Sequence, residues 1–203
     1  MQHIGITGGI GSGKTTVCHV FEQFGIPVYY ADERAKYLAD TDPDTIKALI
    51  AAFGEAVYLP QGTLNRAYLA SIVFADAAKL AQLNAITHPR VFADVAAWQA
   101  AQTGCAYTVK EAAILIESGG YKAVDKVIVV TAPLELRMAR VLARDAAADR
   151  TMVMARMAQQ LTDAEKLKFA DFVIVNDGRQ PLVPQVWEIH QQIKAALDAG
   201  KAK

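Results

Sequence analysis

Residues 8–15 read Gly8-Gly9-Ile10-Gly11-Ser12-Gly13-Lys14-Thr15, directly behind the apolar run His3-Ile4-Gly5-Ile6-Thr7. The stretch fits G-x-x-x-x-G-K-[ST] with Gly8, Gly13, Lys14 and Thr15 in register. The motif carries meaning only between a strand and a helix, and both are predicted here: a buried strand over 3–8 and a helix from Thr15 to Phe24, stopped at Gly25. Glycines admit positive φ, so Gly9, Gly11, Ser12 and Gly13 can turn their N–H groups inward, where the helix N-terminus adds partial positive charge. The expected result is a phosphate cradle, with Lys14 on the β and γ phosphates, the Thr15 hydroxyl on a bridging Mg²⁺ and Thr16 near the α-phosphate. The plainer alternative is a glycine-rich turn with a solvated lysine; agreement of spacing and context argues against it.

Working outward, a second strand is expected over Ile26–Asp32, succeeded by a long helical stretch from about Glu33 to Gln102 with no strand pattern. That interval reads as an insertion. Within it, Asp42 caps a helix opened by Pro43, Gly62 to Arg66 marks a turn, and a helix over Asp76–Ala101 is expected to break at His88-Pro89, since proline lacks a backbone donor. Strands return at Ala106–Glu111, Lys126–Thr131 and Phe172–Val175, the second a β-branched run suited to a sheet covered on both faces. Pro133 opens a helix carrying Arg137, Arg140 and Arg144, and a final helix runs from Leu182 to about Ala199, leaving Gly200–Lys203 frayed. Strands alternating with helices predict an α/β fold, a doubly wound parallel sheet of about five strands of the P-loop NTPase type. The helical insertion spans about 33–102 and a lid about 144–168.

With 203 residues, 53% hydrophobic and 21% charged, the chain should form one domain with its own core. Twenty-one basic residues balance twenty-one acidic ones, so no net field favours nucleic acid or an anionic membrane, and a polyanion site must be local. The two cysteines, Cys18 and Cys105, suit neither a disulfide framework nor a zinc cluster and are expected to be buried, reduced thiols. No secretory pattern or membrane span is evident, so a soluble, cytoplasmic protein is expected.

In an open parallel sheet the ligand lies beyond the carboxyl ends of the strands. Asp32, ending the second strand, can accept a proton from an acceptor hydroxyl, or it can cap the next helix. Glu111, ending the third, can orient magnesium through water, or pair at the surface with Lys110 or Lys122. Arg137, Arg140 and Arg144 form a solvated helix face or a lid over the phosphates that excludes water. His88 is a helix-end hydrogen bonder or a substrate contact beside Pro89 and Arg90.

These stretches together resemble the dephospho-coenzyme A kinase family from Ile4 to about Gln185. The similarity rests on the loop, Ala31-Asp32, Leu83-Asn84-Ala85-Ile86-Thr87-His88-Pro89, Ile114-Leu115-Ile116-Glu117-Ser118, Arg140 to Asp145 and Ala170 to Gly178. The resemblance implies transfer of the ATP γ-phosphate to the ribose 3′-hydroxyl of dephospho-coenzyme A, with Mg²⁺. It implies Asp32 at the acceptor hydroxyl, Arg140 on ATP, Asn176 near the adenine, and Arg66, His88 and Glu117 on the acceptor side, where the insertion would hold the substrate. The chain departs from the family in having Tyr30-Ala31-Asp32 for Asp-Ala-Asp, which leaves one aspartate as base. It also has Glu111-Ala112-Ala113 for Asp-x-Pro at the third strand's exit. Two other readings share many of these features: another small-molecule kinase, for a nucleoside monophosphate or sugar acid, and a nucleotide-dependent switch. The chain lacks the Asn-Lys-x-Asp by which such switches read guanine.

Overall fold

Five short strands, rich in β-branched residues, form one parallel sheet in the order β2-β3-β1-β4-β5. In the computed structural model, which describes residues 1–73 and 75–201, they are β1 (Gln2–Thr7), β2 (Val28–Tyr30), β3 (Tyr107–Glu111), β4 (Lys126–Thr131) and β5 (Phe172–Val175). Ile6 stands opposite Glu111 on one side and Ile128 on the other, which brings the exits of β1, β3 and β4 to one edge.

Alternate residues Ile4 and Ile6, Tyr107 and Val109, and Ile128 and Val130 share one face of the sheet. Two amphipathic helices cover it: α1 (Lys14–Gln23) through Val17, Cys18 and Phe21, and α9 (Leu182–Lys201) through Val186, Ile189 and Ile193. Burial of these chains, at about 25 cal/mol per Å² of apolar surface, is the main force fixing the frame that holds the loop. Three further helices, α6 (Leu134–Arg144), α7 (Arg150–Ala158) and α8 (Asp163–Leu167), come after β4. Met138, Val141 and Val153 pack together there, with Ile10 of the glycine loop against them.

The described chain divides into two compact units, one of Met1–Tyr30 with the residues from Gln102 onward, the other Ala31–Ala101. The second unit is helical: α2 (Ala31–Thr41), α3 (Pro43–Phe53), α4 (Arg66–Val73) and α5 (Ala77–Ala101). Its small core of Val57, Leu69 and Val73 is supported by the Tyr58 hydroxyl, which donates to Ala39 O at 2.7 Å and whose pKa burial pushes up to about 12. Asp42 caps α3 by accepting from Thr45 N at 2.9 Å.

Several boundaries differ from those expected. Strand β2 stops at Tyr30, and Asp32 lies in the first turn of α2, so it neither ends the strand nor caps the helix. Helix α5 runs unbroken through His88 and Pro89. The carbonyl that Pro89 cannot pair belongs to Ala85, an exposed residue, and this lowers the cost of the lost donor. Cys18 is buried as expected, but Cys105 is half-buried. Of the expected frayed end, Gly200 and Lys201 continue α9, while Ala202 and Lys203, like Phe74 in the insertion, lie outside the described residues. No helix among the described residues is long and apolar enough to cross a membrane.

Candidate active site

The loop between β1 and α1 closes on itself. Ser12 N donates to Gly9 O at 3.1 Å, and Gly11 and Gly13 take φ of 78° and 93°, in the left-handed region that glycine tolerates. Crowding adds a second reason for glycine, because a Cβ on Gly9 would strike the Arg137 guanidinium and one on Gly13 the Asn176 amide. Lys14 folds back over the loop. Its ammonium is buried, donates to Gly8 O at 3.1 Å and lies 3.9 Å from Glu111 Oε1. Thr15 and Thr16 come next, in the first turn of α1, and are exposed.

Glu111 is 6% exposed, so the surface pairing with Lys110 or Lys122 weighed from sequence fails on burial. It faces the lysine of the glycine loop across the exits of β1 and β3. Its neighbour Lys110 is also buried, and desolvation lowers its pKa, whereas burial raises those of Cys18 and Tyr30. Glu111 is among the groups raising both of the latter. The carboxylate thus sits in poorly hydrated surroundings, with the Lys14 ammonium 3.9 Å away.

The three arginines of α6 separate in role. Arg140 points its guanidinium at the loop, 3.4 Å from Gly11 O and 3.1 Å from Asn176 Oδ1. Asn176, at the exit of β5, donates to Ser12 O at 2.8 Å and so braces the loop from the other side. Arg137 donates through Nε to Ile10 O at 3.0 Å and pairs with Asp163 at 2.9 Å. Arg144 is exposed at the end of the helix. Nothing in the spacing of the three arginines foretold this division, since loop contact depends on where α6 lands above Gly9–Ser12.

Glu117 lies beyond β3, where Oε1 accepts from Lys166 Nζ at 2.5 Å and from Leu161 N at 2.9 Å. The Lys166 side chain is wholly buried. Sequence reasoning passed over Gln160, Asp163 and Lys166; the only signal there was a helix start, since Thr162 and Glu165 form a reciprocal capping box.

In the helical unit, Arg66 pairs with Asp40 at 2.6 Å. Burial alone would raise the Asp40 carboxyl, but hydrogen bonds from Arg66 and Leu64 N outweigh it and hold the pKa low. His88 is half-buried with its ring against Phe92, and Arg90 pairs with Asp44 at 3.0 Å. Arg34 forms a bidentate pair with Asp94 and covers the Tyr37 ring. Asp32 belongs to this unit, and Lys14, Glu111, Arg140 and Asn176 to the other.

A five-stranded parallel sheet whose first strand feeds a glycine loop with a folded-back lysine is the arrangement of the P-loop type of α/β fold. Residues 2–181 match the family described as dephospho-CoA kinase. The chain is 45% identical over 186 residues to a Bacteroides fragilis dephospho-CoA kinase, covering 92% of this chain and 90% of the relative. It is 46% identical over 180 residues to the Salinibacter ruber enzyme of that name, covering 88% and 90%. A crystal structure from Thermus thermophilus superposes with TM-score 0.83 at 32% identity, over 94% of this chain and 96% of the other. The fold also matches a Campylobacter jejuni dephospho-CoA kinase, TM-score 0.67 at 24% identity over 96% and 98% of the two chains. This chain belongs to the dephospho-CoA kinase family.

Proposed function

We propose that the chain phosphorylates dephospho-coenzyme A with ATP, at the ribose 3′-hydroxyl, in the cytoplasm and as the closing step of coenzyme A synthesis. The observation that carries this reading is the buried Lys14 ammonium, held over a left-handed glycine loop and facing Glu111, in a chain matched to the family over residues 2–181.

Phosphoryl transfer asks a protein for positioning and for charge stabilisation. The N–H groups of Gly9, Gly11 and Ser12 to Thr16 bind the phosphate chain, Lys14 neutralises the β and γ phosphates, and Arg140 approaches from above the loop. Asn176, at the exit of β5, borders the adenine. Asp32 accepts the proton of the acceptor hydroxyl, and Arg66 and His88 contribute to the acceptor side from the helical unit. Glu117 has its carboxylate committed to Lys166 and Leu161, and this supports a role in shaping the acceptor side over direct contact. The segment 144–168 covers the nucleotide and keeps water from the γ-phosphate.

Mg²⁺ prefers few protein oxygens with phosphates and water completing its shell. Among the described residues no group of three or more acids, histidines or cysteines forms a dedicated metal cage. An exposed Thr15 hydroxyl and the buried Glu111 carboxylate suit a nucleotide-borne ion, Thr15 as direct ligand and Glu111 through water. When bound, the ion neutralises charge on the β and γ phosphates.

A panel of acceptors with labelled ATP tests the reading. Label is expected on dephospho-coenzyme A; strong labelling of AMP with none on dephospho-coenzyme A would overturn it.

A further inference from the structure

Gln160 lies between α7 and α8, outside every motif of the phosphate site. Its Oε1 accepts from the Ile10 N–H at 2.9 Å, and its Nε2 donates to Ala113 O at 3.4 Å. Ile10 stands two residues after Gly8, whose carbonyl holds Lys14, and Ala113 stands two residues after Glu111. One carboxamide therefore spans the β1 and β3 exits that carry the buried cation and the buried anion of the site. A carboxamide offers an oxygen acceptor and an N–H donor on one planar end, and this position uses both.

The span is held at its far end as well. Leu161 N donates to Glu117 Oε1 at 2.9 Å, Lys166 Nζ bonds the same oxygen and reaches Ala113 O at 3.4 Å, and Asp163 pairs with Arg137, which bonds Ile10 O at 3.0 Å. Both polar groups of the Ile10 backbone are thereby tied to side chains, one to Gln160 and one to Arg137. A loop that must offer its neighbouring N–H groups to phosphate gains from being fixed beforehand, because a shift of about 1 Å can cost a hundredfold in rate.

We infer that Gln160 is a positioning residue for phosphoryl transfer, acting through Ile10 to hold the glycine loop against the β3 exit before nucleotide arrives. This rests on the reading of the loop as the ATP site. It also divides the segment 144–168: Gln160 to Lys166 is a fixed strap, and movement on nucleotide binding belongs to Asp145–Ala158.

The test compares wild type, Gln160→Leu and Gln160→Glu, all full length. Leucine removes both bonds; glutamate keeps an oxygen for Ile10 and loses the donor to Ala113. In Gln160→Leu, amide hydrogen exchange at Ile10 is expected to rise at least about tenfold and kcat/KM for ATP to fall about ten- to a hundredfold. KM for dephospho-coenzyme A should stay within about twofold, and Gln160→Glu should recover part of the loss. Unchanged exchange and unchanged kcat/KM for ATP would overturn the inference. So would equal losses in the ATP and acceptor parameters with a lower melting temperature, since those mark a packing residue. If Gln160→Leu does not fold, the same comparison on Gln160→Glu decides. Failure of wild type to label dephospho-coenzyme A would sink the proposed acceptor while leaving the exchange result to decide the tie.

Discussion

Lys166→Met removes a cation from a wholly buried position. The Lys166 side chain is 0% exposed and its ammonium lies 2.5 Å from Glu117 Oε1, while the Glu117 side chain keeps 18% of its exposure. Deleting one partner of a buried pair leaves the other charge uncompensated, which costs ~3–5 kcal/mol where both are fully desolvated. Glu117 retains the Leu161 N–H at 2.9 Å and some water, so the expected loss is smaller, ~2–3 kcal/mol. At ~2–4 °C per kcal/mol for a chain of this size, that lowers Tm by roughly 4–12 °C. Glu117→Gln with Lys166→Met removes both charges together and should cost less than Lys166→Met alone, giving a coupling of at least ~1 kcal/mol in a double-mutant cycle. The assay is urea and thermal unfolding monitored by circular dichroism, with KM for dephospho-coenzyme A measured on the same proteins. A Lys166→Met loss under ~0.5 kcal/mol, the worth of an exposed pair, would refute the reasoning. A double variant with normal stability and a large rise in acceptor KM would place Glu117 on the substrate directly.

Lys14→Ala and Asp32→Asn are both expected to lose turnover, Asp32→Asn by about 10²–10⁴ with ATP affinity largely kept, because on the proposed mechanism it removes a base and no phosphate ligand; unchanged turnover in Asp32→Asn moves the base elsewhere. Limited proteolysis with and without ATP should show protection confined to Asp145–Ala158, and equal cleavage in both conditions counts against a cover. Burial, and then the nearby Lys194, lowers the pKa of His190, which shares a 2.7 Å hydrogen bond with the Tyr107 hydroxyl beneath α9. A lowered folded pKa means that the unfolded chain takes the proton first, so this contribution is full above about pH 6.5 and fades as pH falls below it. His190→Asn should flatten the decline in unfolding free energy over that acid range, and an unchanged slope would exclude His190 as its source.

Much of the frame was legible because it depends on local pattern. The β-branched run Lys126–Thr131 and the glycine loop behind an apolar strand were read with nearly the observed bounds, and their order implied the parallel sheet. Asp32 was misplaced because Tyr29 and Tyr30 favour a strand, while the helix opening at Ala31 is decided by the helix-forming residues from Glu33 to Ala39. The unbroken α5 shows the reverse case: Pro89 costs one hydrogen bond, and a helix of 25 residues, with the exposed residue Ala85 at the position that loses its partner, absorbs it. The strap of Gln160, Asp163 and Lys166 was invisible because its partners, Ile10, Ala113, Glu117 and Arg137, come from stretches up to 150 residues away. Polar side chains at that separation leave no period to read.

The same distance relation explains how the departures from the family pattern are tolerated. A proline at position 113 would remove a backbone N–H and leave the carbonyl, and it is the Ala113 carbonyl that takes hydrogen bonds from Thr7, Gln160 and Lys166. Alanine in its place preserves all three acceptor contacts, so the anchor for the strap survives the substitution. Glutamate for aspartate at 111 lengthens the side chain by one methylene, yet the carboxylate still comes within 3.9 Å of Lys14 in a buried pocket. At that distance Lys14 and Glu111 face each other as an ion pair, while the ammonium hydrogen-bonds Gly8 O at 3.1 Å. The loop therefore holds its buried lysine beside a carboxylate of opposite charge, which offsets part of the cost of burying either one.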